Sequence, residues 1–138
     1  MTWIRVDTDE DLRKLDESAY WRDSEGIEFY GTTRNEDFFP ADVSRSGHLK
    51  KNIFLLCDCQ HSSEGRYLEL VFIDCDWYDG GFLDQPFFSG RVDRLKRVEL
   101  WHDDKTIVMR CSRLIYRFLQ EADVVMGTYY PTCWKQES

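Results

Sequence analysis

The stretch RYLELVFIDCDW, residues 66–77, predicts a long β-strand with apolar side chains on both of its faces. Successive side chains of a strand point to opposite faces of the sheet. The alternation assigns one face to Tyr67, Glu69, Val71, Ile73 and Cys75. It assigns the opposite face to Leu68, Leu70, Phe72, Asp74 and Asp76. A strand that is apolar on both faces belongs inside a sheet that is covered on both sides, so this stretch predicts a central strand.

Shorter strands are predicted on both sides of this stretch. They are IEFYG (27–31), NIFLLCDC (52–59), LKRVELW (95–101) and TIVMRC (106–111). The turn-rich segment QHSSEG (60–65) joins the second of these to the central strand, and HDDK (102–105) joins the last two. Strands joined by connections this short pair antiparallel, so the sequence predicts a sheet built from hairpins.

A helix is predicted before the strands, from about Asp9 to about Tyr20. Thr8 can cap its free amides, and three acids follow in the first turn, where they suit the positive end of the helix dipole. The apolar residues then repeat on one helical face. These residues are Leu12, Leu15 and Ala19.

A second helix is predicted after the strands, capped by Ser112 and ending near Gly127. Its apolar residues also share one helical face. They are Leu114, Ile115, Phe118, Leu119 and Ala122. The complete pattern predicts an α+β fold, in which an N-terminal and a C-terminal helix pack on an antiparallel sheet of four to six strands. We expect residues 1–138 to form a single globular domain.

Composition supports a folded protein of the cytoplasm. The chain has 138 residues, of which 42% are hydrophobic and 15% aromatic, which disfavours disorder. The N-terminus is charged within its first five residues, unlike a signal peptide, and no apolar run approaches the length of a membrane span. The five cysteines are an odd number, which favours free thiols in a reducing compartment over a set of disulfides.

The net charge of −8 is distributed unevenly. Residues 1–89 carry 19 acids and 9 bases, whereas residues 90–138 carry 7 acids and 9 bases. Nucleic-acid phosphates repel such a chain, so nucleic-acid binding is disfavoured. Opposite charge accelerates the encounter of two proteins, and the charge therefore predicts a basic protein partner.

The acids that end the central strand suggest a catalytic alternative. Val71, Phe72 and Ile73 lead into Asp74 and Asp76, and this run resembles the first motif of the haloacid dehalogenase family. The resemblance implies Asp74 as nucleophile and Asp76 as acid/base in a metal-dependent phosphatase. Tyr78 replaces the threonine of that motif, and the βα units of that family do not follow. A related alternative is a nuclease whose metal ion is held by Asp74, Asp76 and Asp79.

Other metal sites fit the sequence less well. A calcium-binding EF-hand loop that began at Asp74 would place Asp79 where the loop requires glycine. Cys57, Cys59 and His61 alternate along a strand, and Cys75 could add a fourth zinc ligand. Two sulfurs separated by two strand residues are nevertheless too far apart for one ion. The sequence therefore predicts no catalytic residue, no metal site and no cofactor.

A binding protein is the function that the sequence favours. Acids mixed with aromatic residues after the central strand are typical of protein-recognition surfaces. The expected contact residues are Asp74, Asp76, Trp77, Tyr78, Asp79, Phe82 and Asp84. In size and charge the chain is similar to bacterial immunity proteins, which implies a basic toxin or enzyme as its partner. A structural subunit of a larger assembly is a further alternative, and the oligomeric state is left open.

Overall fold

The structure is a computed structural model that describes residues 3–19, 21, 24–32, 51–78, 89–101 and 107–119. These residues contain one helix, α1 (Asp9–Ala19). They also contain seven strands, which are β1 (Ile4–Val6), β2 (Glu25–Thr32), β3 (Lys51–Asp58), β4 (Tyr67–Tyr78), β5 (Ser89–Val92), β6 (Val98–Trp101) and β7 (Ile107–Leu119).

The seven strands form one antiparallel sheet that curls into a half-barrel. The order across the sheet is β2-β3-β4-β7-β6-β5. The long strand β7 has two partners on the edge away from β4. Its first half pairs with β6, where Val98 lies opposite Cys111, and its second half pairs with β1, where Ile4 lies opposite Tyr116.

The predicted C-terminal helix is wrong for all of its residues that the structure describes. Residues 112–119 continue β7, which runs unbroken from Ile107 to Leu119. The predicted α+β fold with a helix at each end is therefore wrong, and the described chain is mostly antiparallel sheet with a single helix. The physical reason is pairing, because β4 on one edge and β1 on the other bond this segment as a strand. Residues 120–127, including Ala122, lie outside the described residues.

The predicted N-terminal helix is confirmed. The Thr8 hydroxyl oxygen accepts a hydrogen bond from the Asp11 amide at 3.1 Å, which is the expected cap. Leu12, Leu15 and Ala19 are buried. The Asp9 carboxylate accepts a hydrogen bond from the Val92 amide at 2.7 Å, so the start of α1 is tied to β5.

The predicted strands also occur, with changed lengths and two additions. Strands β2, β3, β4 and β6 overlap the predicted ones, and the segment predicted as 106–111 is the first part of β7. Strands β1 and β5, of three and four residues, were not predicted. Elements this short carry too few alternating positions to produce a sequence signal.

Both faces of the central strand β4 are buried, as predicted. On the face that packs against α1, Leu68, Leu70 and Phe72 join the larger hydrophobic cluster. On the opposite face, Val71 and Ile73 join a second cluster. Each of these five side chains has no exposed surface, so β4 is fixed in register by packing on both sides.

Candidate functional site

Four of the seven expected contact residues lie at the C-terminal end of β4. The last five positions of this strand include Asp74, Asp76, Trp77 and Tyr78. Trp77 pairs with Arg110 and Tyr78 with Met109 on β7. The other expected contact residues, Asp79, Phe82 and Asp84, lie outside the described residues.

Asp74 occupies a β-bulge in this end of the strand. It has a positive φ of 52°, a conformation that costs most residues energy but is tolerated by aspartate. Its backbone amide donates a hydrogen bond to Asn52 Oδ1 at 2.9 Å, and Asn52 is itself buried. The Asp74 side chain is only 8% exposed, so it offers little surface to a partner.

The bulge changes which way the next residues face. Between Ile53 and Lys51 of β3, the pairing advances from Phe72 to Cys75, so β4 contains one extra residue there. Cys75 consequently joins Phe72 in the cluster beneath α1, although simple alternation assigned it to the opposite face. A second register shift follows between Cys75 and Trp77.

Asp76 is exposed and borders a pocket of about 200 Å³. The pocket lies where the ends of β4, β5, β6 and β7 meet. It is lined by Asp76, Arg91, Asp93, Arg97, Val98, Glu99, Arg110 and Cys111. Three arginines and three acids balance one another, so the formal charge of the lining is zero. A partner reaching Asp76 would therefore meet alternating charges rather than a purely acidic surface.

Glu99 organises two of the pocket arginines. It lies opposite Arg91 on β5 and opposite Arg110 on β7. Its two carboxylate oxygens contact the Nε atoms of these arginines, at 3.4 Å for Arg91 and 2.8 Å for Arg110. Charges directly opposite each other on neighbouring strands attract, and the three side chains form a charged row across the sheet.

Asp93 holds the third pocket arginine within a turn. One of its oxygens accepts hydrogen bonds from the amides of Leu95 and Arg97, and the other contacts Arg97 Nε at 2.8 Å. Desolvation raises the pKa of Asp93, but the bonds from Arg97 and Leu95 together outweigh it and lower the pKa below its ordinary value. The carboxylate is thus stabilised in its ionised form.

Sequence reasoning identified the arginines of the second half without placing them in the contact region. The charge distribution predicts that these arginines pair with acids of residues 1–89, and Arg117 does so with Glu69. The three pocket arginines instead pair with Glu99 and Asp93, which belong to their own half of the chain. The partner of each arginine depends on strand register. The hairpin prediction for residues 95–101 and 106–111 carried the only sequence signal that could have placed Glu99 opposite Arg110.

The four described cysteines are buried thiols without disulfide bonds. Burial raises the pKa of Cys59 to about 12, and burial also raises the pKa of Cys57, Cys75 and Cys111. These thiols are protonated at neutral pH and are poor nucleophiles. Cys133 lies outside the described residues.

The structure gives no support to the zinc site weighed from the sequence. Cys57 and Cys59 are buried, whereas His61 is exposed. In the part of the chain that the structure describes, no three His, Cys, Asp or Glu side chains are grouped to hold a metal ion. Asp79, the third acid of the phosphatase and nuclease alternatives, lies outside that part.

No family model, curated protein or solved structure matches this chain. In the described ranges, no helix is long and apolar enough to cross a membrane.

Proposed function

We propose that this chain is a protein-binding protein of the cytoplasm that engages a basic protein partner through its acidic surface. The charge balance carries the proposal. If every Lys and Arg neutralised one acid, eight acids would remain without a basic counterpart. Such an excess attracts a basic partner and accelerates their encounter.

Ion pairing inside the chain leaves this excess unchanged, because it pairs bases with acids that are already counted. Arginines on α1, β5 and β7 are bound to acids of the same chain. Their charge is therefore already compensated and does little to offset the remaining acids. On α1 alone, five acids accompany only Arg13 and Lys14, so the side of this helix that faces away from the core is acidic.

The proposed contact surface centres on Asp76, with Trp77, Tyr78, Asp79, Phe82 and Asp84 following it in the chain. Asp76 is exposed at the edge of the pocket. Asp74 belongs to the same segment, and we assign it the role of shaping the strand end, because its side chain is buried. The aromatic residues would supply apolar area, and the acids would select a basic partner.

Binding to a partner of opposite charge is what we expect of an immunity-type protein. Such a protein neutralises a basic toxin or enzyme by covering it. The partner is therefore expected to be a basic protein and not a nucleic acid or a membrane surface. An anionic surface repels nucleic-acid phosphates and anionic lipids.

The test is capture of a partner by the immobilised protein at two salt concentrations. About 0.1 M salt leaves charges effective over about 10 Å, and about 1 M salt reduces this range to about 3 Å. We expect a basic protein to be retained at low salt and released at high salt. Capture of no protein, or of one that ignores salt, would contradict electrostatic recognition.

Two charge reversals locate the contact. Asp76→Lys should weaken capture of the same partner, whereas Glu64→Lys should not, because the exposed Glu64 lies in the turn before β4, at the other end of that strand. Equal effects of the two variants would show that net charge matters and that the end of β4 is not the contact.

Thermal unfolding with Mg²⁺, Mn²⁺ or Ca²⁺ separates this proposal from the metal-dependent phosphatase or nuclease. An ion that binds the folded protein raises its melting temperature. We expect no change that depends on Asp76, and a rise that Asp76→Asn abolishes would favour the enzyme. Gel filtration at the same time would reveal the stable oligomer expected of an assembly subunit.

A further inference from the structure

Three sulfur-containing side chains meet between β4 and β7. Cys75 lies directly opposite Cys111 in the register of the two strands. The Cys75 Sγ atom lies 3.6 Å from the Sδ atom of Met109. Met109 and Cys111 are two residues apart on β7, so they share a face of the strand. All three side chains belong to the buried cluster beneath α1.

The β-bulge of β4 against β3 places Cys75 in the same cluster as Phe72. The pairing of β4 with β7 is regular from Ile73 opposite Arg113 to Cys75 opposite Cys111. The positive φ of Asp74 and the hydrogen bond from its amide to Asn52 maintain the bulge. Bulges commonly redirect side chains next to functional sites.

We propose that Cys75, Met109 and Cys111 form a binding site for a soft monovalent metal ion of the Cu(I) type. Thiolate and thioether sulfurs are the ligands that select Cu(I) among biological metals. Metal–sulfur bonds are about 2.3 Å long. Cys75 Sγ and Met109 Sδ are 3.6 Å apart, so their bonds to a shared ion would enclose an angle of about 100°. The observed separation thus suits two ligands of one ion.

Binding exchanges protons for metal without any redox step. Cys75 and Cys111 are free, buried thiols, each with a proton on its sulfur before the ion arrives. Each thiol releases that proton to solvent and its sulfur bonds the ion, while Met109 donates a thioether lone pair. The ion remains Cu(I), and the complex of one cation with two thiolates has a charge of −1.

The proposed site borders the pocket beside Asp76. Cys111 is one of the residues that line the pocket, together with Arg110 on the same strand. Zn²⁺ fits less well, because structural zinc takes four nitrogen, sulfur or oxygen ligands and the described residues contain no group of three suitable His, Cys, Asp or Glu side chains.

A second cysteine pair provides a matched control. Cys57 and Cys59 are also buried, but Cys57 lies on β3 and Cys59 directly after its end. Two residues of extended chain separate them by about 6.6 Å. Ser24 lies beside both of these thiols, and its hydroxyl donates a hydrogen bond to the Trp21 carbonyl oxygen at 2.7 Å. A protein that bound Cu(I) through any buried thiol would use this pair equally well.

The experiment is a competition between the whole chain and a coloured Cu(I) chelator, without oxygen and with a reductant that lacks thiols. We expect one Cu(I) per chain, ultraviolet absorption from thiolate-to-copper charge transfer, and a higher melting temperature. Cys75→Ser and Cys111→Ser should each weaken binding by at least about tenfold. Cys57→Ser and Cys59→Ser should leave the affinity within about twofold of the original.

Met109→Leu keeps the proposal testable if a cysteine variant fails to fold, since leucine and methionine have similar volumes. This variant should remain folded and bind Cu(I) at least about fivefold more weakly. Unchanged affinity in Met109→Leu would overturn the three-sulfur site. Equal losses in the Cys57 and Cys75 variants, or no stoichiometric binding at all, would show that these thiols are only core residues or bind copper adventitiously.

Discussion

Glu69 and Arg117 form an ion pair that is buried from solvent on both sides. They face each other on β4 and β7, and Arg117 Nε lies 2.9 Å from Glu69 Oε1. The Glu69 side chain has no exposed surface and that of Arg117 is 6% exposed. The guanidinium also stacks 4.3 Å from the ring centre of Trp3, which brings the residue before β1 onto this pair.

Removing one member of this pair should cost more stability than removing both. Glu69→Ala leaves the arginine charge buried without its carboxylate, and we expect a loss of about 3–5 kcal/mol in the free energy of unfolding. Glu69→Leu combined with Arg117→Met fills similar volume without charge and should be destabilised by less than either single variant. Urea denaturation measures the free energy of unfolding of each variant. A double variant that loses as much as both single variants together would contradict the interpretation.

Asn52 should be important for stability because it sustains the bulge. Its Oδ1 atom accepts the hydrogen bond from the Asp74 amide, and both residues are buried. Asn52→Ala leaves that amide without this acceptor, which should cost about 1–3 kcal/mol of unfolding free energy. Lys51→Ala, at the exposed neighbouring position, should change stability by less than about 0.5 kcal/mol. Equal losses in the two variants would show that the hydrogen bond does not matter.

The bulge also explains why the site was only partly predictable. The alternating pattern of residues 66–77 correctly assigned Leu68, Leu70 and Phe72 to one face. It assigned Cys75 wrongly, because one inserted residue reverses every later position of a strand. Asp74 in a strand pattern carries no clear signal of a positive φ, since a glycine would be the usual marker.

The prediction of a C-terminal helix was wrong for a different reason. Leu114, Ile115, Phe118 and Leu119 fit a helical face, and Ile115 and Phe118 equally favour a strand. Short apolar segments are ambiguous between the two periodicities. Pairing with strands distant in sequence determines that this segment is a strand and not a helix, since β4 and β1 bond its two edges. By contrast, α1 was predictable because its cap and its acids are local.

Gly90 should be intolerant of any side chain. A Cβ atom at this position would lie 2.5 Å from Leu100 Cδ2, 2.8 Å from the Glu99 carbonyl oxygen and 3.0 Å from Leu12 Cδ2. Gly90→Ala would therefore push α1 away from β5 and β6, at a cost of about 1–3 kcal/mol in unfolding free energy.

The matched control is Gly31→Ala on the edge strand β2. There a Cβ would have ordinary contact with Ile53 Cδ1 at 3.5 Å. This variant should be neutral or slightly stabilised, because alanine restricts the unfolded chain. Thermal melts of the two variants provide the comparison. A melting temperature of Gly90→Ala at or above that of Gly31→Ala would contradict the packing of α1 on β5.

The turn of Asp93 should contribute stability that depends on pH. The folded state lowers the pKa of this carboxyl, so folding favours its ionised form. The contribution is complete above the unfolded pKa of about 3.9 and is lost as the pH falls through the lower folded pKa. Because Asp93 and Arg97 are 35% and 60% exposed, solvent screening limits the effect to below about 1 kcal/mol.

Asp93→Asn isolates this charge. Asparagine keeps an oxygen for the amides of Leu95 and Arg97 but loses the ionised partner of Arg97 Nε. In urea denaturation the variant should be less stable than the original protein at pH 7. The difference should shrink as the pH falls below about 3.9 and through the lower folded pKa of Asp93, because protonation removes the charge that asparagine lacks. Arg97→Gln should remove much of the same pH dependence, because it takes away the cation. A stability difference that stays constant across this pH range would show that the carboxylate charge contributes nothing and that the turn is held by its amide hydrogen bonds.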